Sequence, residues 1–180
     1  MLPTSKSMLQ RRRLLRGEIT YSAAKEDETN VLHALSYWDQ QCQYFQRLQR
    51  KSHLIKATVA RHLNLDSKNC HVADPKEWLS GTFNVCIPIS IGSNNSDPSF
   101  LIRLPLPYRV GERFDTGNAD EKIMCEVGTY LWLQQNCPEI PIPKLHGYGS
   151  ATGEMVFLRS KTYHSCTGPS KLFVVAFSSS

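Results

Sequence analysis

The spacing of hydrophobic positions changes along this chain, and each change marks a predicted element. From about Thr29 to Asn64 apolar residues recur every three or four positions: Val31, Leu32 and Leu35, then Trp38, Cys42, Phe45 and Leu48. That is the period of an amphipathic helix. Ser52 or its neighbours divide it from a second helix with Leu54, Ile55, Val59 and Leu63 on one face. Asp27 or Thr29 is placed to cap the first helix and Asn64 to end the second. Trp38, Tyr44 and Phe45 read as aromatics packed on another layer.

The period then becomes two. Phe83, Val85, Ile87 and Ile89 alternate with less apolar neighbours, as in a half-buried strand. Pro88 has no N–H to donate, which predicts an edge strand or one end of a pairing. Gly92 to Pro98 is rich in turn residues, so Phe100 to Leu104 reads as the returning strand of a hairpin, ended by Pro105 and Pro107. A loop over Gly111 to Gly117 precedes Asn118-Ala119-Asp120-Glu121, which has the spacing of a capping box with Asn118 as the cap. The helix it opens buries Ile123, Val127, Tyr130 and Leu131 and ends at Cys137-Pro138. An extended, proline-rich stretch leads to a strand or turn at His146 to Gly149, and Gly153 to Leu158 supplies one more strand. Helices and an antiparallel hairpin together make the fold class α+β.

Charge alters this picture little. The formal net charge is +5, yet Lys6, Arg11, Arg12, Arg13 and Arg16 all precede the first acid, Glu18. The remainder is close to neutral, so a nucleic-acid surface is not expected. No apolar run approaches the roughly 20 residues that span a bilayer, so no membrane partner is expected either. The arginines, with Ser5 and Ser7, have the composition of a mitochondrial presequence. A solvated, disordered tail over residues 1–28 is the favoured alternative, which makes the expected location cytoplasmic and mitochondrial the second choice. They are followed by Gly17-Glu18-Ile19, not by the apolar core of a secretory signal. The six cysteines are scattered, which suits free thiols in a reducing compartment, and His71 beside Cys70 is too little for a zinc site.

Two places could carry chemistry. Ser80-Gly81-Thr82-Phe83-Asn84 forms a turn before the strand: Gly81 allows close backbone approach, Asn84 tolerates a left-handed conformation, and Ser80 or Thr82 offers a hydroxyl. An ordinary turn would look the same. Arg103 lies inside an apolar strand, where a lone cation needs an anion or must reach solvent. Glu126, beside Val127 at the margin of the helix's inward face, is the natural partner. Taken alone, the two residues read rather as a snorkelling arginine and a solvated glutamate.

The segments "WLSGTFNVCIPI", "FLIRLPLPYRVGE" and "GNADEKIMCEVGTYLWLQQNCPEIPIPKLHGYG" resemble the fungal branch of the aminoglycoside-phosphotransferase-like (kinase-like) proteins, a likeness running from about Leu15 to Gly153. It implies a kinase-like amino-terminal lobe over residues 67–159, preceded by a helical extension over 29–66. It also implies that Ser80, Gly81 and Thr82 cover nucleotide phosphates, that Arg103 is the nucleotide-facing cation, and that Glu126 is its helix partner. Arginine in place of the usual lysine presents a planar fork instead of a point charge. The family reaction is ATP-dependent phosphoryl transfer to a small-molecule hydroxyl, with ATP and magnesium expected for a complete member. The likeness further implies a second lobe with a histidine-and-aspartate loop, an asparagine and a metal-binding aspartate. No aspartate follows Asp120 and no asparagine follows Asn136. Residues 160–180 do not resemble the family and are expected to be a disordered tail. The expectation is therefore a truncated member, inactive or very weak alone, as after a retained intron, a frameshift or a gene-model error. Nucleotide is an expected partner, with self-association or a protein partner through the exposed lobe face. The alternative is a non-catalytic nucleotide- or protein-binding fragment.

Overall fold

The computed structural model describes residues 11–28, 31–92, 100–150 and 155–157. Its architecture is α+β, in two compact units, residues 1–47 and 48–180.

In the first unit β1 (Arg11–Arg13) pairs antiparallel with β2 (Glu18–Thr20). Thr20 then caps α1 (Tyr21–Glu26), its hydroxyl accepting the Ala23 amide at 3.2 Å. Residues 11–26 are thus ordered where a disordered tail was expected. Composition could not reveal why: the Arg13 guanidinium stacks 3.6 Å from the centre of the Trp38 ring, and Arg11 meets Glu18 at 3.6 Å. Asp27 follows α1 instead of capping a later helix, and Thr29 lies outside the described residues. The expected long helix is split into α2 (Val31–Ala34) and α3 (Tyr37–Arg50), and Leu32 is exposed. At the break the Ser36 hydroxyl donates to the His33 carbonyl at 3.0 Å and accepts from the Gln40 amide at 2.8 Å. Serine competes with helical backbone bonding in this way.

The second unit opens with α4 (Ser52–Leu63), which Asn64 ends in the left-handed conformation, as expected. Ile55, Val59 and Ala60 are buried while Leu54 is exposed. A four-stranded antiparallel sheet follows: β3 (Cys70–Val72), β4 (Leu79–Ser80), β5 (Asn84–Ile91) and β6 (Phe100–Pro105). Val85, Ile87, Ile89, Ile102 and Leu104 share one face of β5 and β6 and are buried, in the predicted alternation. Phe83 falls in the turn before β5 and is half exposed.

Pro88 does not place β5 at the edge. β6 runs along one side of β5 from Asn84 to Ile89, and the other side is shared by β3 at Ile89 to Ile91 and β4 at Val85 to Cys86. The Pro88 carbonyl accepts the Ala73 amide at 3.0 Å on the shared side. Its nitrogen faces that same side, in the gap between β3 and β4, where no ladder bond is lost. The turn expected at 92–98 lies, from residue 93 onward, outside the described residues.

After β6 come α5 (Pro107–Val110) and α6 (Asn118–Asn136). Asn118 is not the cap. Gly117 holds that position, and Glu112 reaches across the loop to accept the Gly117 amide at 2.8 Å and the Ala119 amide at 2.7 Å. The Asn118 side chain instead donates to the Val110 carbonyl at 3.0 Å. A carboxylate on the first amides satisfies orphan donors and complements the helix dipole, so the acid six residues earlier displaces the local cap. Ile123 and Val127 of α6 form a core cluster with Leu145, and Tyr130, Leu131 and Tyr148 pack against it.

β7 (Gly147–Gly149) and β8 (Met155–Phe157) form a final hairpin. Its first residue is fixed by packing. A Cβ on Gly147 would lie 2.6 Å from His62 Nδ1 and 2.7 Å from the Val156 carbonyl oxygen, so the imidazole of α4 lies flush on the β7 backbone. Burial, with the charge of Arg61 and the proximity of His146, pushes His62 down to about 4; burial and Lys144 lower His146 as well.

Two expectations follow. Gly147→Ala should destabilise the fold by about 1–3 kcal/mol, read from the urea midpoint, because both backbone and ring must shift; an unchanged midpoint would refute the contact. The second concerns pH. A histidine whose folded value is depressed contributes stability that is complete above its unfolded value of 6.5 and is lost as pH falls toward about 4. The melting temperature should therefore fall between pH 6.5 and 5, above the range of ordinary carboxylates, and His62→Gln should flatten part of that fall.

Candidate functional site

The face of the sheet opposite Val85 and Ile102 carries the polar residues. Arg103 is the cross-strand partner of Cys86, and Asn84 stands at the start of the same strand. α6 lies against β6 and brings Glu126 to this face, three residues after the buried Ile123. The Arg103 guanidinium forks onto the carboxylate: Nε donates to Oε2 at 3.0 Å and Nη2 to Oε1 at 3.1 Å. Arg103 Nη1 also approaches Cys86 Sγ at 3.8 Å. The snorkelling-arginine alternative therefore does not apply, since the two side chains are part-buried and joined by two bonds.

Glu126 is more heavily engaged than a simple pair requires. Its Oε1 also accepts from Lys122, one helical turn earlier, and from Asn84 Nδ2 at 3.3 Å. Burial alone would raise the Glu126 carboxyl. Hydrogen bonds from Arg103 and Lys122, with their charges, outweigh it and hold the group below the ordinary carboxylate value. Burial opposes the charge on Arg103 too, but its bond to Glu126 raises it further. Two cations against one anion leave a surplus positive charge here.

The turn at residues 80–84 lies next to this cluster. The Gly81 amide donates to the Asn84 carbonyl at 2.8 Å, and the Thr82 carbonyl accepts Arg109 Nε at 2.9 Å. Arg109 also lies 5.8 Å from the centre of the Phe83 ring. Asn84 is not left-handed: among the described residues Asn64 alone, apart from glycines, has a positive φ. It is strand backbone with a buried side chain aimed at Glu126, so the role expected for it is replaced by another. Gly81 is not held at positive φ, and a Cβ there would meet the Asn84 carbonyl at an ordinary 3.6 Å. The fold by itself does not demand glycine at this position. Beyond the turn, Phe83, Arg109, Glu121, Lys122 and Cys125 line an open concavity of about 440 Å³.

Of the residues singled out from sequence, Arg103 and Glu126 come together directly, while Ser80, Gly81 and Thr82 form the neighbouring turn. Asn84 and Lys122 were missed as partners of Glu126. The four-residue spacing of Lys122 and Glu126 was a visible signal for the second. Nothing local signals the first, because the partners are 42 residues apart. Among the described residues no group of three or more metal-ligating side chains occurs, so those residues do not fit the magnesium that the resemblance implies. The described cysteines are free thiols. No helix among the described residues is long and apolar enough to cross a membrane.

The fork makes a specific energetic demand. Arg103→Ala and Glu126→Gln should each destabilise the chain, with a coupling of about 1–2 kcal/mol in a double-mutant cycle read by urea unfolding. Arg103→Lys, which keeps the charge but not the fork, should recover only part of the loss. Strict additivity would mean that the pair contributes nothing.

No protein-family model, no curated protein and no solved structure matches this chain. A functional reading therefore rests on the Arg103–Glu126 fork and the turn beside it.

Proposed function

We propose that residues 67–159 are a kinase-like amino-terminal lobe of aminoglycoside-phosphotransferase-like type, and that the Arg103 face binds nucleotide phosphates. The observation that supports this most is the fork between a strand arginine and a helix glutamate, next to a turn whose glycine the fold does not require. Ser80, Gly81 and Thr82 present backbone and hydroxyls to the phosphates, and Arg103 neutralises their charge, held in place by Glu126. ATP bound there would supply the transferable phosphoryl group. Magnesium finds no ligand cluster among the described residues, and no step is assigned to it.

A second reading, a non-catalytic protein-binding module, is favoured by Met124 and Trp132, both more than half exposed on α6. Concentration-dependent sedimentation of the full chain separates the two, since a monomer at every concentration removes self-association.

Binding of a fluorescent ATP analogue to the full chain tests the leading reading. Arg103→Ala should weaken binding about tenfold, the loss expected for a charge-assisted contact. Gly81→Ala should weaken it while leaving the unfolding midpoint at or slightly above the wild-type value. Binding that neither substitution alters would overturn the assignment.

A further inference from the structure

Asn84 is the buried polar side chain among the described residues, only 7 % exposed, at the first position of an apolar strand. A buried amide costs desolvation unless its bonds are made. Its two observed bonds run in different directions. Its backbone carbonyl accepts the Gly81 amide at 2.8 Å, and its side-chain Nδ2 donates to Glu126 Oε1 at 3.3 Å. The turn has two other anchors, the Phe83 carbonyl on the Leu106 amide at 2.8 Å and the Thr82 carbonyl on Arg109. Of these three, Asn84 carries a side-chain bond to Glu126.

We infer that Asn84 is a positioning residue, tying the 81–83 turn to Glu126 so that the ion pair sets where the turn lies relative to Arg103. The inference deepens the nucleotide-facing reading and rests on it for its purpose, though not for its geometry. Lys122 completes the arrangement. A phosphate that draws donors from Arg103 leaves Oε1 held by Lys122 and Asn84, so the turn stays anchored while the guanidinium turns to its ligand. In a bare arginine–glutamate pair, the same ligand would release the glutamate, and the turn would lose its reference.

Amide exchange of the full chain, followed by nuclear magnetic resonance, tests this with or without nucleotide. Asn84→Asp places an acceptor with no proton to give against Glu126, and exchange at the Gly81 amide should accelerate about tenfold. The Val85 and Ile102 amides of β5 and β6 should keep their rates. Adding Glu126→Gln supplies an amide that donates to Asp at 84, and should return Gly81 to within about threefold of wild type. A merely structural asparagine gives no such rescue. Asn84→Ser, uncharged and too short to reach Glu126, carries the same first expectation and covers the case in which Asn84→Asp does not fold. Unchanged Gly81 exchange in these variants, or a double variant no nearer to wild type, overturns the inference. If the wild type binds no ATP analogue, the nucleotide reading is lost, while the exchange result still decides the role of Asn84.

Discussion

A single half-buried carboxylate organises the polar face of the second unit. Glu126 accepts from Arg103 on β6, from Asn84 on β5 and from Lys122 on its own helix. An ionised carboxylate taken this far from water is costly unless its lone pairs are filled, and here the filling comes from each element that the helix must be registered against. The hydrophobic contacts of Ile123 and Val127 with Leu145 hold α6 in the fold without specifying its rotation closely, since apolar packing is non-directional. The fork is directional. It sets which face of α6 meets the sheet and how far along β6 it stops.

The same division between apolar packing and directional polar contacts separates what could be read from sequence from what could not. Period-two alternation located the buried face of β5 because Val85, Ile87 and Ile89 obey a local rule, and Asn64 ended α4 because its conformation is local too. The first helix was drawn too long, since Ser36 offers its neighbours an alternative bond that hydrophobic spacing does not register. Asn118 looked like a cap on its own spacing, but Glu112 arrives from the loop with two oxygens and a full charge. Arg103 and Glu126 form an ion pair that the residues alone did not favour, since a strand arginine can also snorkel to solvent; the expectation of a pair came from the family resemblance. Asn84 carried no such expectation in one dimension, since its partner becomes a neighbour only when β5 lies beneath α6.

The glycines show how cost separates fold from site. Gly147 is required by the fold, for a Cβ there would collide with the imidazole of His62 and with a backbone oxygen. Gly81 is not, because a methyl group would fit at ordinary contact distance and φ is unremarkable. Alanine at 81 would also lower the entropy of the unfolded chain, so glycine there is, if anything, a loss of stability. The asparagine at 84 is a different case, since its buried amide fills a lone pair of the Glu126 carboxylate that an aliphatic side chain would leave empty. The two residues, three apart and joined by a backbone hydrogen bond, fall beside a cluster in which two cations meet one anion. Under the proposed nucleotide reading, an anion approaching the turn closely would give a reason for the glycine at 81, and a guanidinium that must be held but not immobilised would give one for the asparagine at 84.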